Sequence, residues 1–158
     1  SSRKVQRITK TTGSIDVSPC YSPDGSKVVF TSDRGGKPKL YVMNANGGEP
    51  ERISFGDGRY FTPVWSPRGD MIAFTKQVPG KFYVGVMRPD GTGERMIAQD
   101  YLAEGPTWSP NGRILLYTRQ SSNHAPTKLY AVDVTGFSEY QVPTPLDGSY
   151  GSWSPLID

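Results

Sequence analysis

The 158 residues include a single cysteine and a single histidine. Cys20 has no second thiol within the chain to pair with, which excludes a disulfide-stapled miniprotein. Between Pro19 and Tyr21 it reads as a small core hydrophobe, not a nucleophile. His124, in Ser121-Ser122-Asn123-His124-Ala125-Pro126, reads as an exposed loop residue and leaves no partner for a histidine-based metal site. Long apolar runs are missing too, so no membrane span and no direct membrane insertion is expected. The start, Ser-Ser-Arg-Lys-Val-Gln-Arg, has no apolar h-region and does not read as a signal peptide. Catalytic signatures are also lacking. Gly148-Ser149-Tyr150-Gly151-Ser152 has the wrong spacing for a nucleophile elbow. Gly91-Thr92-Gly93 lacks the third glycine of a dinucleotide fingerprint, and Pro89-Asp90-Gly91-Thr92-Gly93-Glu94 lacks the spaced acids of a calcium loop. The 18 Lys and Arg residues are interleaved with 15 Asp and Glu, a solvated mixed surface without the clustered cations of a nucleic-acid binder. No enzyme activity, cofactor or metal is expected.

What the chain has is glycine and proline, 18 and 14 residues, which call for many tight turns. They recur in register. Tyr21-Ser22-Pro23-Asp24-Gly25 returns as Trp65-Ser66-Pro67-Arg68-Gly69, then as Trp108-Ser109-Pro110-Asn111-Gly112, and in part as Trp153-Ser154-Pro155. The turn serines stand 44, 43 and 45 residues apart, the period of a four-stranded propeller blade. After each turn come Val28-Val29-Phe30-Thr31, Ile72-Ala73-Phe74-Thr75 and Leu115-Leu116-Tyr117-Thr118. Next are Leu40-Tyr41-Val42-Met43, Val84-Gly85-Val86-Met87 and Leu129-Tyr130-Ala131-Val132. Consecutive apolar positions, without alternation, mark strands covered on both faces. Each period closes on a more polar segment (Glu51 to Ile53, Glu94 to Ile97, Tyr140 to Val142), as an outermost edge strand should.

The expected fold is therefore all-β: a β-propeller fragment of three four-stranded antiparallel blades with orphan terminal strands. With strands lettered a to d from the channel outward, the blades span about 18–54, 62–98 and 105–143. An orphan strand d is expected at 5–9 and an orphan strand a at 150–154. Three blades do not close a ring, since propellers use roughly four to eight. The bare end faces, to which Phe30, Leu40, Tyr117 and Leu129 are assigned, would be covered by neighbours in a ring. Two copies of the fragment as a homodimer would supply six blades.

The d–a connections gather around one mouth of the channel. They carry Ile15, Asp16 and Val17; Arg59 and Tyr60; Tyr101, Leu102 and Glu104; and Tyr150. Tyrosine and arginine are over-represented among interface hot spots, and loops on a rigid scaffold commonly carry recognition. The other reading of these aromatics is packing between blades.

The Ser-Pro-x-Gly turns, Thr31-Ser32-Asp33-Arg34-Gly35-Gly36-Lys37-Pro38, the run Gly47-Gly48-Glu49-Pro50-Glu51-Arg52-Ile53 and the final Trp153-Ser154-Pro155 together resemble the WD40-like repeat of the TolB family. That resemblance implies a non-enzymatic periplasmic scaffold of the Tol–Pal system. Such a scaffold binds the peptidoglycan-associated lipoprotein Pal on this mouth and supports outer-membrane integrity and cell division. In the family the segment that engages other Tol proteins precedes the propeller, outside the repeats read here. A second reading shares the repeat: the propeller of a prolyl-oligopeptidase-like or tricorn-like serine peptidase, gating a catalytic domain elsewhere.

Overall fold

The structure is a computed structural model and describes residues 5–154. Residues 1–4 of the amino-terminal stretch and Pro155 of the fourth repeat lie outside them. Twelve strands form three sheets among the described residues, with no helix. The first blade is β1 (Asp16–Tyr21), β2 (Lys27–Ser32), β3 (Lys39–Asn44) and β4 (Glu51–Arg52). The second is β5 (Arg59–Trp65), β6 (Ile72–Val78), β7 (Lys81–Met87) and β8 (Arg95–Asp100). The third is β9 (Leu102–Trp108), β10 (Ile114–Gln120), β11 (Lys128–Asp133) and β12 (Glu139–Gln141). Every sheet is an antiparallel meander in chain order.

The a–b hairpins close as the turn chemistry requires. The amides of Gly25, Gly69 and Gly112 donate to the carbonyls of Ser22, Ser66 and Ser109 at 2.8–2.9 Å. Each of these glycines has a positive φ, which only glycine adopts at no steric cost.

The inner strands begin earlier than the repeats indicate. Asp16, Val17, Arg59, Tyr60, Leu102 and Glu104, expected in connections, are strand residues. A β-bulge explains the extension. Ser18, Thr62 and Gly105 sit at equivalent positions with φ of 53°, 43° and 64°, each followed by a proline (Pro19, Pro63, Pro106). The register of β1, β5 and β9 against its neighbour slips at that point. Proline has no N–H for the ladder and enters sheets at bulges. The bulge lets the strand cross the proline and resume pairing beyond it.

The core lies between blades. Val29, Leu40, Ile53, Ile72, Phe74 and Met87 pack where the first blade meets the second. Val84, Val86, Leu115, Tyr117 and Val132 do so where the second meets the third. Burying each such side chain stabilises the fold by roughly 1.5–3 kcal/mol. Leu40 and Tyr117, assigned from sequence to the bare end faces, therefore belong to the interblade cores instead. Alternation along a strand decides this: Val28 and Phe30 face away from the second blade and Val29 toward it.

The terminal segments are expected as orphans, outside any complete blade. Residues 5–9 and 150–154 form no strand ladder, because the blades that would supply their partners are not in this chain. They nonetheless hold their repeat positions. The carbonyl of Ile8 approaches Gly47 as those of Ile53 and Ile97 approach Gly91 and Gly136. Tyr150 has the bulge conformation, φ 50°. Trp153 Nε1 donates to the Thr107 carbonyl at 3.3 Å, as Trp108 Nε1 does to the Val64 carbonyl at 3.0 Å.

Candidate functional site

Antiparallel meanders put the d–a and b–c connections of each blade at the same end, and the a–b and c–d turns at the other. At the d–a end residues from all three blades and their connections line a groove of about 890 Å³. Its walls include Arg59, Tyr101 and Leu102 from the inner-strand starts, and Lys37, Lys81 and Phe82 from the b–c side. Lys37, Arg59 and Lys81 are cationic, and Asp57 is the only carboxylate in the lining. Tyr101 is 45% exposed. Gly58 allows the tight entry to β5: with φ of +86° it lies against the Gln77 carbonyl, and a methyl group there would overlap that oxygen.

The structure brings together only part of the predicted set. Arg59, Tyr101 and Leu102 share the groove. Ile15 and Val17 are exposed on the first blade, outside the groove lining. Asp16 beside them accepts a 2.8 Å bond from Arg34 Nη2. Burial works against its ionisation, yet bonds from Ser32 and Arg34 hold its carboxyl below the usual range. Tyr150, exposed and also outside the groove lining, donates to Glu104 at 3.0 Å.

Tyr60 leaves the set. It is fully buried, its ring tilted on Phe74, its hydroxyl donating to Glu94 Oε1 at 2.7 Å. The position two residues before the bulge points into the blade-to-blade packing, so the packing reading holds there. Burial above all, and the Glu94 carboxylate, push its phenol up to about 12, against the pull of Lys76. The ion pair Lys76–Glu94 at 2.9 Å completes the cluster.

Lys37, Lys81 and Phe82 escaped the sequence reading. The signal was available, because a four-stranded meander necessarily puts the b–c loops beside the d–a connections. Among the described residues His124 makes no side-chain hydrogen bond, and no group of three or more His, Cys, Asp or Glu residues is arranged to hold a metal. No helix in the described residues is long and apolar enough to cross a membrane.

Comparison with known proteins decides the family. A model described as the TolB beta propeller domain matches residues 1–157. The chain belongs to the TolB propeller family. The Tol-Pal system protein TolB of Wolbachia pipientis wMel is 52% identical over 73% of this chain and 28% of its own length. That of Gluconobacter oxydans is 51% identical over 95% of this chain and 44% of its own. The chain thus spans less than half the length of these curated relatives. The crystal structure of TolB from Acinetobacter baumannii superposes with a TM-score of 0.78 at 27% identity, covering 91% of this chain and 36% of that one. Solved propellers of peptidases and of a lyase are alike in fold alone, each under 25% identical.

Proposed function

We propose that this TolB propeller segment is a non-enzymatic protein-binding scaffold of the periplasm, and that the d–a mouth is the surface on which it binds the lipoprotein Pal. The observation that carries this reading is the groove. Exposed Tyr101 stands there with Arg59, residue types that supply interface hot spots, and with Leu102 beside them, on elements fixed by interblade packing. A mostly cationic lining favours a partner that presents carboxylates. The names of the relatives support a place in the Tol–Pal system, and from it roles in outer-membrane integrity and cell division. Engagement of other Tol proteins is assigned to parts of the family outside these residues.

The test is site-directed photo-crosslinking in the full-length protein. A photoreactive residue at Leu102 should capture the periplasmic domain of Pal, whereas one at Arg68, on the a–b turns of the opposite mouth, should not. Capture from Arg68 alone would place the surface on the wrong end.

A further inference from the structure

Three connections at the mouth are each held by a cation on a neighbouring strand, and this deepens the proposed reading of the site. Lys39, the first residue of β3, is 6% exposed. Its ammonium donates to the carbonyls of Gly56 and Gly58 at 2.5 and 3.0 Å, 4.7 Å from the centre of the Tyr60 ring. Those carbonyls belong to the connection that delivers Arg59. A buried lysine is retained only where its charge is paired or solvated by the chain, and here two backbone oxygens and an aromatic face supply that. Burial, with Arg52 and Lys76 nearby, lowers its pKa from the usual lysine value.

The repeat shows that the arrangement recurs. Lys128 begins β11 at the position equivalent to Lys39, and its ammonium reaches the Leu146 carbonyl at 3.3 Å and Asp147 at 3.6 Å in the next connection. The second blade has Tyr83 at that position. There the connection is held from the following blade: Arg119 bonds Asp100 Oδ2 at 2.5 Å, and Asp100 Oδ1 in turn accepts the Tyr101 amide at 2.7 Å. Arg119 is itself fixed by Glu139 at 2.6 Å and lies 4.8 Å from the centre of the Tyr130 ring. Where the lysine is missing, a different cation takes its place.

We propose that Lys39 and Arg119 are positioning residues of the protein-binding mouth, holding the connections that present Arg59 and Tyr101–Leu102 in their bound geometry before the partner arrives. They touch no partner themselves. Ordering a loop on binding costs free energy that a preorganised loop has already met.

Two measurements on the full-length protein test this. In Lys39→Met, which keeps the apolar stem, the amides of residues 56–60 should exchange with deuterium at least tenfold faster, while β2 and β6 stay protected. Arg119→Met should act likewise on Tyr101 and Leu102. Affinity for the periplasmic domain of Pal should fall about three- to tenfold in each, in line with about 0.5–1.5 kcal/mol per ordered group. Arg119→Lys should recover part of the loss. Should Lys39→Met fail to fold, Lys128→Met applies the same exchange test to residues 146–148. Unchanged exchange in these variants overturns the proposal, and so does faster exchange with wild-type affinity. A wild-type protein that does not bind Pal would overturn the functional reading instead, leaving exchange to judge the anchoring.

Discussion

One threonine recurs in strand b of every blade, and the same substitution at two of its copies should have opposite effects. Thr75 Oγ1 accepts the Gly105 amide of the next blade's bulge at 3.1 Å and pairs with the Thr62 hydroxyl at 2.8 Å. Thr118 Oγ1 accepts the Tyr150 amide at 3.0 Å in the same way. Thr31 is equally buried, yet its hydroxyl has no partner among the described residues. Thr75→Val keeps the shape but leaves the Gly105 amide without its partner. A lost bond plus an unpaired buried donor costs about 2 kcal/mol, within the usual 1–3. For a chain of this size that lowers Tm by roughly 4–8 °C. Thr31→Val removes a hydroxyl that was buried to no benefit, and should stabilise by up to about 1 kcal/mol. Guanidinium unfolding with unchanged m-values would show a gap of about 3 kcal/mol between the two variants. Equal destabilisation by both would refute the claim that the strand-b hydroxyl latches one blade to the next.

Other outcomes follow from single contacts. Gly91→Ala should cost about 2–4 kcal/mol, because φ is +84° and the methyl would overlap the Ile53 carbonyl. Gly47→Ala, with nothing closer than 3.8 Å, should cost about 1 kcal/mol, and denaturant midpoints compare the two. Tyr60→Phe should flatten the alkaline limb of the stability profile. The wild-type phenol is neutral in both states below pH 10 and ionises first in the unfolded chain, so stability falls between pH 10 and about 12, on the order of 2 kcal/mol by pH 12. An identical slope in the variant would contradict the burial of that hydroxyl. Light scattering should report 17.4 kDa for the 158-residue chain, since Val28, Phe30 and Met43 on the first blade's outer face are already covered, with Ile8 and Ala45 packed against them. A mass of two chains would show that the end faces pair.

The blades were legible because their signals are local. Ser-Pro-x-Gly turns fix the a–b hairpins, and apolar runs mark the strands sandwiched between neighbours. The inner-strand starts were not, because the repeat places each start at the residue just before Pro19, Pro63 and Pro106 and gives no sign of strand upstream of it. Only the left-handed residue before each proline shows a bulge with strand on both sides. The face to which a side chain turns was equally hidden: Tyr60 and Arg59 are adjacent, yet one is core and the other lines the groove. The anchoring cations were out of reach for another reason. Lys39 meets Gly56 and Arg119 meets Asp100 across 17 and 19 residues, through contacts that no spacing rule encodes.

The central claim, that the d–a mouth binds Pal, is tested most directly by calorimetric titration of Pal's periplasmic domain into full-length protein carrying Arg59→Ala, Tyr101→Ala, Leu102→Ala or Tyr150→Ala. At least one groove variant, Tyr101→Ala foremost, should lose about 2 kcal/mol, close to thirtyfold in affinity, with its Tm unchanged. Wild-type affinity in all four would contradict the account.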